Sequence, residues 1–286
     1  MVVLPQPHRR TLPRRMSRIP IVMGIVNVTP DSFSDGGACL NPDTAIRRGI
    51  ALVEQGADWI DVGGESTRPG SSRVSITEEL QRVMPVIQGL VEAVDVPISI
   101  DTSKASVAAA ALQAGASIVN DVTALRGDAA MGSIIARANA RVILMHMRGT
   151  PSTMQRRPSY HHVVQEVAAF LKEAIARAKM AGIRGDHILV DPGLGFGKTV
   201  RHNLQLLHGL AGLTSAGVPV VVGASRKSFI GHILDAEIPE RLAGSLACAA
   251  WAYHAGAAVV RVHDVRETVE LLQILHAIES EHKTHR

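Results

Sequence analysis

The sequence predicts an α/β chain folded as a single-domain (β/α)8 TIM barrel. Three observations carry that expectation. A length of 286 residues is long for one sandwich and ordinary for one such barrel. Hydrophobic residues make up 46% of the chain and aromatics only 3%, so the core must be aliphatic, in the balance that suits parallel strands covered by helices. Short apolar runs alternate with amphipathic stretches, and a strand followed by a helix eight times over closes into a parallel barrel.

The elements follow in order. Residues 22–28 form the first run of strand length rich in Val and Ile, and residues 44–55 the first amphipathic stretch. The run at 59–64 precedes the stretch at 77–93, and the run at 97–102 precedes the stretch at 106–114. Residues 117–122 and 141–146 supply the fourth and fifth strands, the latter followed by a helical pattern over 160–181. Runs at 187–192, 218–225 and 257–264 complete the eight. The last segment carries an apolar stripe of Val269, Leu272, Ile274, Leu275 and Ile278, expected to pack on the core. No linker divides the chain, and no run is low in complexity. Residues 1–20 are assigned to a flexible basic extension and residues 21–286 to the barrel.

An internal repeat supports the barrel. Gly56-Ala57 precedes Ile60-Asp61, Gly115-Ala116 precedes Val119-Asn120, and Gly256-Ala257 precedes Val260-Arg261, all in one frame. The glycine ends a helix in the left-handed conformation, and the strand follows at once. Asp61, Asn120 and Arg261 are thereby placed at equivalent depth in three strands. Polar groups inside an otherwise aliphatic barrel must face one another or a ligand. A buried structural hydrogen-bond network is the alternative to a ligand site.

Charge and cysteine usage exclude several classes. The net charge is +4, but residues 1–18 hold Arg9, Arg10, Arg14, Arg15 and Arg18 and no acid; removing those five leaves the rest at −1. A nucleic-acid binder carries its basic stripe on the folded domain, so no nucleic-acid partner is expected. Cys39 and Cys248 fit no metal or CxxC spacing, which suggests a reducing, cytoplasmic setting. No apolar run approaches the roughly 18 residues of a membrane span, and the first residues lack the apolar stretch of a signal peptide. Their Arg-rich composition is compatible with a transit peptide. A frayed extension is the preferred reading, with Met16 an alternative start.

Every strand but the fifth ends in polar or glycine residues: Asn27 and the loop 29–37, Gly63 to Gly70, Asp101 to Lys104, Asn120-Asp121, Asp191 to Gly193, Ser225 to Ser228, and Arg261 to Asp264. Barrel active sites lie at that face. Two sub-sites separate by chemistry. Arg261 and His263 lie two apart on a strand and point the same way; with Asn27 on the adjoining first strand they form a donor-rich pocket suited to a diphosphate. The alternative is that Arg261 neutralises a buried acid. Asp101, Asn120, Asp191 and Lys227 form the second. A guanidine-like edge of a flat heterocycle wants a carboxylate, whereas a carbonyl and ring nitrogen want Lys and Asn donors. An Asp–Lys salt bridge is the plainer reading.

Other motifs carry less. Residues 192–199 nearly match the phosphate-binding loop of nucleotide triphosphatases, but Pro192 stands where the first glycine belongs, and the segment follows the sixth strand of a barrel. His161-His162 and the C-terminal histidines lack metal-ligand spacing and read as exposed surface.

Residues 21–279 resemble bacterial dihydropteroate synthases. The resemblance rests on Met23 to Gly37, Asp61 to Gly70, Ser99 to Thr102, Asn120-Asp121, Leu144 to Met147, Asp191 to Lys198, Ser225 to Ser228 and Arg261 to Val265, all in family order. It implies that the pterin ring lies on Asp101, Asn120, Asp191 and Lys227 beside Met145 and Phe196. It places the diphosphate on Asn27, Arg261 and His263 near Thr67 and Arg68, with Asn27 touching a Mg²⁺ carried by the diphosphate. It builds the p-aminobenzoate pocket from Phe33, Thr67, Pro69, Lys227 and Ser228. It gives the catalytic roles to Asp101, Lys227, Arg261 and His263 in a dissociative, cation-like displacement, and it suggests a homodimer built through barrel helices. The rivals are a folate-dependent methyltransferase and a catalytically silent pterin-binding paralogue. The loop motifs at 29–37 and 63–70 and the Ser225 to Ser228 turn speak against the first, and the intact Asn27, Arg261 and His263 against the second.

Overall fold

The computed structural model describes residues 19–29, 41–66, 70–215 and 217–284. The basic segment 1–18 and the loop 30–40 lie outside them. Eight parallel strands run β1 (Ile21–Asn27), β2 (Trp59–Gly63), β3 (Ile98–Asp101), β4 (Ile118–Asp121), β5 (Arg141–Met145), β6 (Ile188–Asp191), β7 (Val221–Val222) and β8 (Val259–Val262). Their order is β6-β5-β4-β3-β2-β1-β8-β7. A parallel bridge between Val190 and Val220 joins the two ends, so the barrel is closed.

The seventh strand is shorter than its apolar run. Pro219 has no N–H to give to a ladder, but its carbonyl accepts from Val190 N at 3.0 Å and closes the seam. Helices α1 (Pro42–Glu54), α2 (Ile76–Ala93), α3 (Ala105–Gln113), α4 (Met131–Arg137) and α5 (Val163–Met180) follow the first five strands one by one. Two helices follow β6, α6 (Val200–His208) and α7 (Leu210–Thr214), and two follow β7, α8 (Ser228–Leu234) and α9 (Leu242–His254). The long α10 (Val265–Thr284) closes the chain. Local signals set the starts: Asn41 caps α1 by accepting from Asp43 N, and Ser75 caps α2 by accepting from Glu78 N.

Gly56, Gly115 and Gly256 of the repeat frame all have positive φ, at 101°, 109° and 79°. Each turns the chain from a helix into a strand. The barrel floor is an apolar layer of Met23, Trp59, Ile118, Ile143, Leu189, Val221 and Val259; Trp59 is the one aromatic in it. Strand side chains alternate between faces, so the next inward layer lies two residues further on. That layer contains Asp61, Asn120, Met145, Asp191 and Arg261. A buried apolar plug thus holds up a ring of polar side chains.

The stripe expected on the last helix is only partly in the core. Leu272 is fully buried, but Ile274 and Ile278 are 63% and 61% exposed. At 100° per residue Ile274 lies about 200° around the helix from Leu272, on the opposite face, and Ile278 lies one turn beyond it. Among the described residues no helix is long and apolar enough to cross a membrane.

Candidate active site

The polar ring is knit together by one carboxylate. Asp61 is 0% exposed. Its Oδ2 accepts from Arg261 Nε at 2.6 Å and from Asn120 Nδ2 at 3.1 Å. Arg261 Nη2 reaches Asp101 Oδ2 at 3.0 Å. The three residues of the repeat frame therefore face one another, and Arg261 does neutralise buried acids. The two sub-sites expected from the sequence are joined through this guanidinium, which commits to them two of the five N–H groups that such a side chain carries.

Burial and the neighbouring charge of Asp61 push Asp101 up to about 7, against the opposing pull of Arg261. Desolvation prevails because Asp61 contributes a second negative charge in the same dry layer. Burial also raises Asp191, while the hydrogen bond from Gly193 N at 2.6 Å and the charges of Lys227 and Arg261 work the other way. Four of the residues expected around the heterocycle, Asp101, Asn120, Asp191 and Lys227, thus share one electrostatic neighbourhood at the C-terminal rim.

The apolar wall is a separate cluster of Val122, Met145, Met147, Met154 and Phe196. Lys227 Nζ stands 4.1 Å from the Phe196 ring centroid, a cation–π geometry. Lys227 begins α8 after a turn in which Arg226 takes a positive φ of 58°. Such a conformation persists in a non-glycine residue only when its surroundings hold it. Here Arg226 N donates to Ser245 Oγ at 2.9 Å, and its guanidinium forms a two-pronged ion pair with Asp264. Ser228 is exposed at the start of α8.

His263 lies just past β8. Ser225 Oγ accepts from His263 N at 3.2 Å and contacts His263 Nδ1 at 3.0 Å. The hydroxyl therefore ties the His263 ring to its own backbone and fixes the ring's orientation at the rim. Burial and Arg261 push His263 down to about 3, so the ring is neutral at physiological pH. Asn27 ends β1 opposite Gly63.

The second loop is anchored at both stems. Ser71 Oγ donates to Ser66 O at 2.5 Å, and Gly70 N donates to Pro151 O at 3.3 Å. Lys104 pairs with both Glu65 and the fully buried Glu79. Phe33, Thr67, Arg68 and Pro69 lie outside the described residues, so the expected p-aminobenzoate pocket is described only through Lys227 and Ser228.

Sequence reasoning passed over two buried residues. His146 directly follows β5, the strand assigned no polar terminus, and Lys198 lies in the segment set aside as a false phosphate loop. They contact each other at 2.9 Å. The signal available was a lysine next to glycines and a histidine in an apolar run, and neither reads as buried without the fold.

Comparison with known proteins agrees with this geometry. The family model described as pterin binding enzyme matches residues 23–263. The dihydropteroate synthase of Escherichia coli K12 is 48% identical over 258 residues, covering 90% of this chain and 91% of that protein. The structure of Xanthomonas albilineans dihydropteroate synthase with 4-aminobenzoic acid superposes with a TM-score of 0.86 at 48% identity, covering 91% and 93% of the two chains. That enzyme in complex with 7,8-dihydropteroate gives 0.83 at 44%, covering 93% and 95%. The chain belongs to the pterin-binding enzymes and, within them, to the dihydropteroate synthases.

Proposed function

We propose that this enzyme condenses 6-hydroxymethyl-7,8-dihydropterin diphosphate with p-aminobenzoate to give 7,8-dihydropteroate and diphosphate. The observation that carries the reading is the polar ring: carboxylates for a guanidine-like edge, with Arg261 and the His263 ring alongside for a departing anion. Relatives solved with 4-aminobenzoic acid and with 7,8-dihydropteroate support it. Incubating the protein with the pterin diphosphate, Mg²⁺ and p-aminobenzoate tests it; absence of dihydropteroate would leave a silent pterin-binding protein.

The reaction follows from the charges. Asp191, Asn120 and Lys227 hold the ring against Met145 and Phe196. The C–O bond breaks, and its electron pair leaves with the diphosphate, which Asn27, Arg261 and His263 receive. Positive charge spreads into the ring beside Asp101, in a layer dry enough to make that carboxylate effective. The aniline nitrogen attacks the methylene and its surplus proton is released. Dissociation of this kind needs no covalent enzyme intermediate.

Among the described residues no group of three His, Cys, Asp or Glu side chains could hold a metal. Magnesium takes few protein ligands and several from phosphates, so in this reading Mg²⁺ would arrive on the diphosphate. Asn27 would offer it one oxygen, with Thr67 and Arg68 lining the diphosphate nearby. When bound, the ion neutralises leaving-group charge.

The p-aminobenzoate pocket is assigned to Phe33, Thr67, Pro69, Lys227 and Ser228. Two of its walls belong to loops that the diphosphate would order, so binding is ordered. Calorimetry should detect no p-aminobenzoate binding to the free enzyme and clear binding once diphosphate and Mg²⁺ are present. Tight binding to the free enzyme would contradict the order.

Lys227→Ala removes a charged hydrogen bond from the pterin and a border of the second pocket. Each KM should rise roughly tenfold, about 1.4 kcal/mol, at the lower end for a charged bond. Unchanged kinetics would remove Lys227 from the site.

Residues 21–286 are proposed as the catalytic domain, residues 1–20 as a basic extension, and the working form as a cytoplasmic homodimer. Exposed apolar residues on α8 to α10, among them Ile233, Trp251, Ile274 and Ile278, support an interface through barrel helices. Burial raises the Cys248 thiol to about 11, which keeps it unreactive in a reducing compartment.

A further inference from the structure

The segment after β6 is built around a cation of its own. Lys198 is 3% exposed. Its Nζ donates to Gly193 O at 2.8 Å and Phe196 O at 3.0 Å, and it meets His146 Nδ1 at 2.9 Å, with His146 O at 3.4 Å. An ammonium has three N–H groups, and three close acceptors match them. The backbone reaches this arrangement through three left-handed glycines, Gly193, Gly195 and Gly197, at φ 68°, 81° and 65°. A Cβ at Gly193 would lie 1.9 Å from His146 O, and one at Gly197 would lie 2.4 Å from Arg148 O. No side chain can replace either glycine without moving backbone.

The polarity is opposite to that of a phosphate-binding loop. There, backbone amides point at an anion. Here, carbonyls point at a lysine, and three of the amides are already engaged: Gly193 N with Asp191 Oδ1 at 2.6 Å, Gly195 N with Asn203 Oδ1 at 2.8 Å, Phe196 N with Gly193 O at 3.1 Å. Two further carbonyls are tied outward, Gly195 O to Gln155 Nε2 at 2.6 Å and Gly197 O to the Tyr160 hydroxyl at 2.9 Å. The coil thus fixes Phe196 under Lys227. Gly195 matters in the same way, since a Cβ there would lie 3.2 Å from Lys227 Cδ.

We propose that Lys198 is a positioning residue of the pterin pocket, its ammonium acting as the internal cation that sets the 193–197 coil and, through it, the Phe196 ring, Lys227 and the Asp191 carboxylate. His146 is the second half of the device. Burial and Lys198 push its ring down to about 3, so it stays a neutral acceptor beside the lysine. The inference rests on the reading of this pocket as a pterin site.

The test uses full-length protein and two probes, 6-hydroxymethylpterin for the deep pocket and inorganic diphosphate with Mg²⁺ for the anion site. The anion residues belong to β1 and β8, two or three strands around the barrel from β6. Wild-type binding of the pterin tests the pocket by itself; failure there removes the pterin reading and this proposal with it. Lys198→Met keeps the length and removes the donors. Pterin affinity should fall about tenfold or more, with diphosphate affinity held within about twofold. Lys198→Gln, which restores an amide donor pair, should recover part of the pterin loss. It also serves as the measurement should the Met variant fail to fold. Pterin affinity unchanged in the variants, equal losses for both probes, or Gln no better than Met would each overturn the proposal, since mere bulk or global stability would then account for Lys198.

Discussion

Asp101→Asn is expected to lose about 100-fold in kcat, about 2.7 kcal/mol of transition-state stabilisation, with the dissociation constant of the pterin diphosphate within about threefold of wild type. The amide keeps the shape of the carboxylate, so the ring still docks and Arg261 Nη2 still has an oxygen to meet at the end of β3. What is lost is the negative charge beside a ring that becomes cationic as diphosphate leaves. An interaction made mainly in the transition state lowers kcat and spares ground-state affinity. The pH profile gives an independent signature. Asp101 must be ionised to act, and in the free enzyme it is held up near 7. Wild-type kcat/KM should therefore rise as pH rises through about 7, and that limb should vanish in Asp101→Asn. His263, pushed down to about 3, stays neutral throughout. Lys198, lowered by burial to about 7, loses its proton in the same window and gives a falling limb, so the wild-type profile peaks near 7, and Asp101→Asn should lose the rising side and keep the falling one. Linkage has a fixed sign as well. Between the ordinary value of 3.8 and about 7 the folded chain holds a proton that the unfolded chain has released, so stability falls as pH rises across that window. A variant in which affinity and kcat fall in equal proportion would make Asp101 a binding residue and leave Asp191 to face the cation.

Asp61→Asn should reduce kcat/KM roughly 10- to 100-fold, the range for a charged hydrogen bond of about 1.5–3 kcal/mol. Its one oxygen anchors both Arg261 Nε and Asn120 Nδ2. An amide cannot match the charge that Arg261 expects in a buried layer, and unpairing a buried ion is among the larger single-site penalties. The variant also has a directional test. Asp61 is the second cause, after burial, of the raised Asp101, so removing its charge should move the rising limb of kcat/KM to lower pH. A limb that stays in place would mean that Asp61 orders the layer without setting the ionisation of Asp101. Read together, the two variants separate a group that meets the developing charge from one that aims its neighbours.

Much of this was legible in the sequence, and the residues show why. The eight apolar runs, the Gly-Ala repeat frame and the motif order determined a parallel barrel and a polar C-terminal rim. Each of those signals is local: strand alternation and left-handed glycines act within a few residues. The frame even placed Asp61, Asn120 and Arg261 at one depth, because equal spacing from a helix-ending glycine is equal depth in a closed barrel. What the sequence left open was partnership. Arg261 could serve an anion or an acid, and only closure of β1 onto β8 and β2 sets its Nε 2.6 Å from Asp61. The seventh strand starts late, at Val221, because Pro219 has no N–H for a ladder whose partner is known only in the fold. Ile274 and Ile278 turned outward because helical phase, not apolarity, decides which face meets the barrel. Lys198 and His146 read as a false motif and an apolar strand end until the chain brought positions 52 residues apart into one buried contact. Local physics determined which elements form. Tertiary closure decided which charges are desolvated and which partner each one meets, because both depend on neighbours that lie far away in the chain.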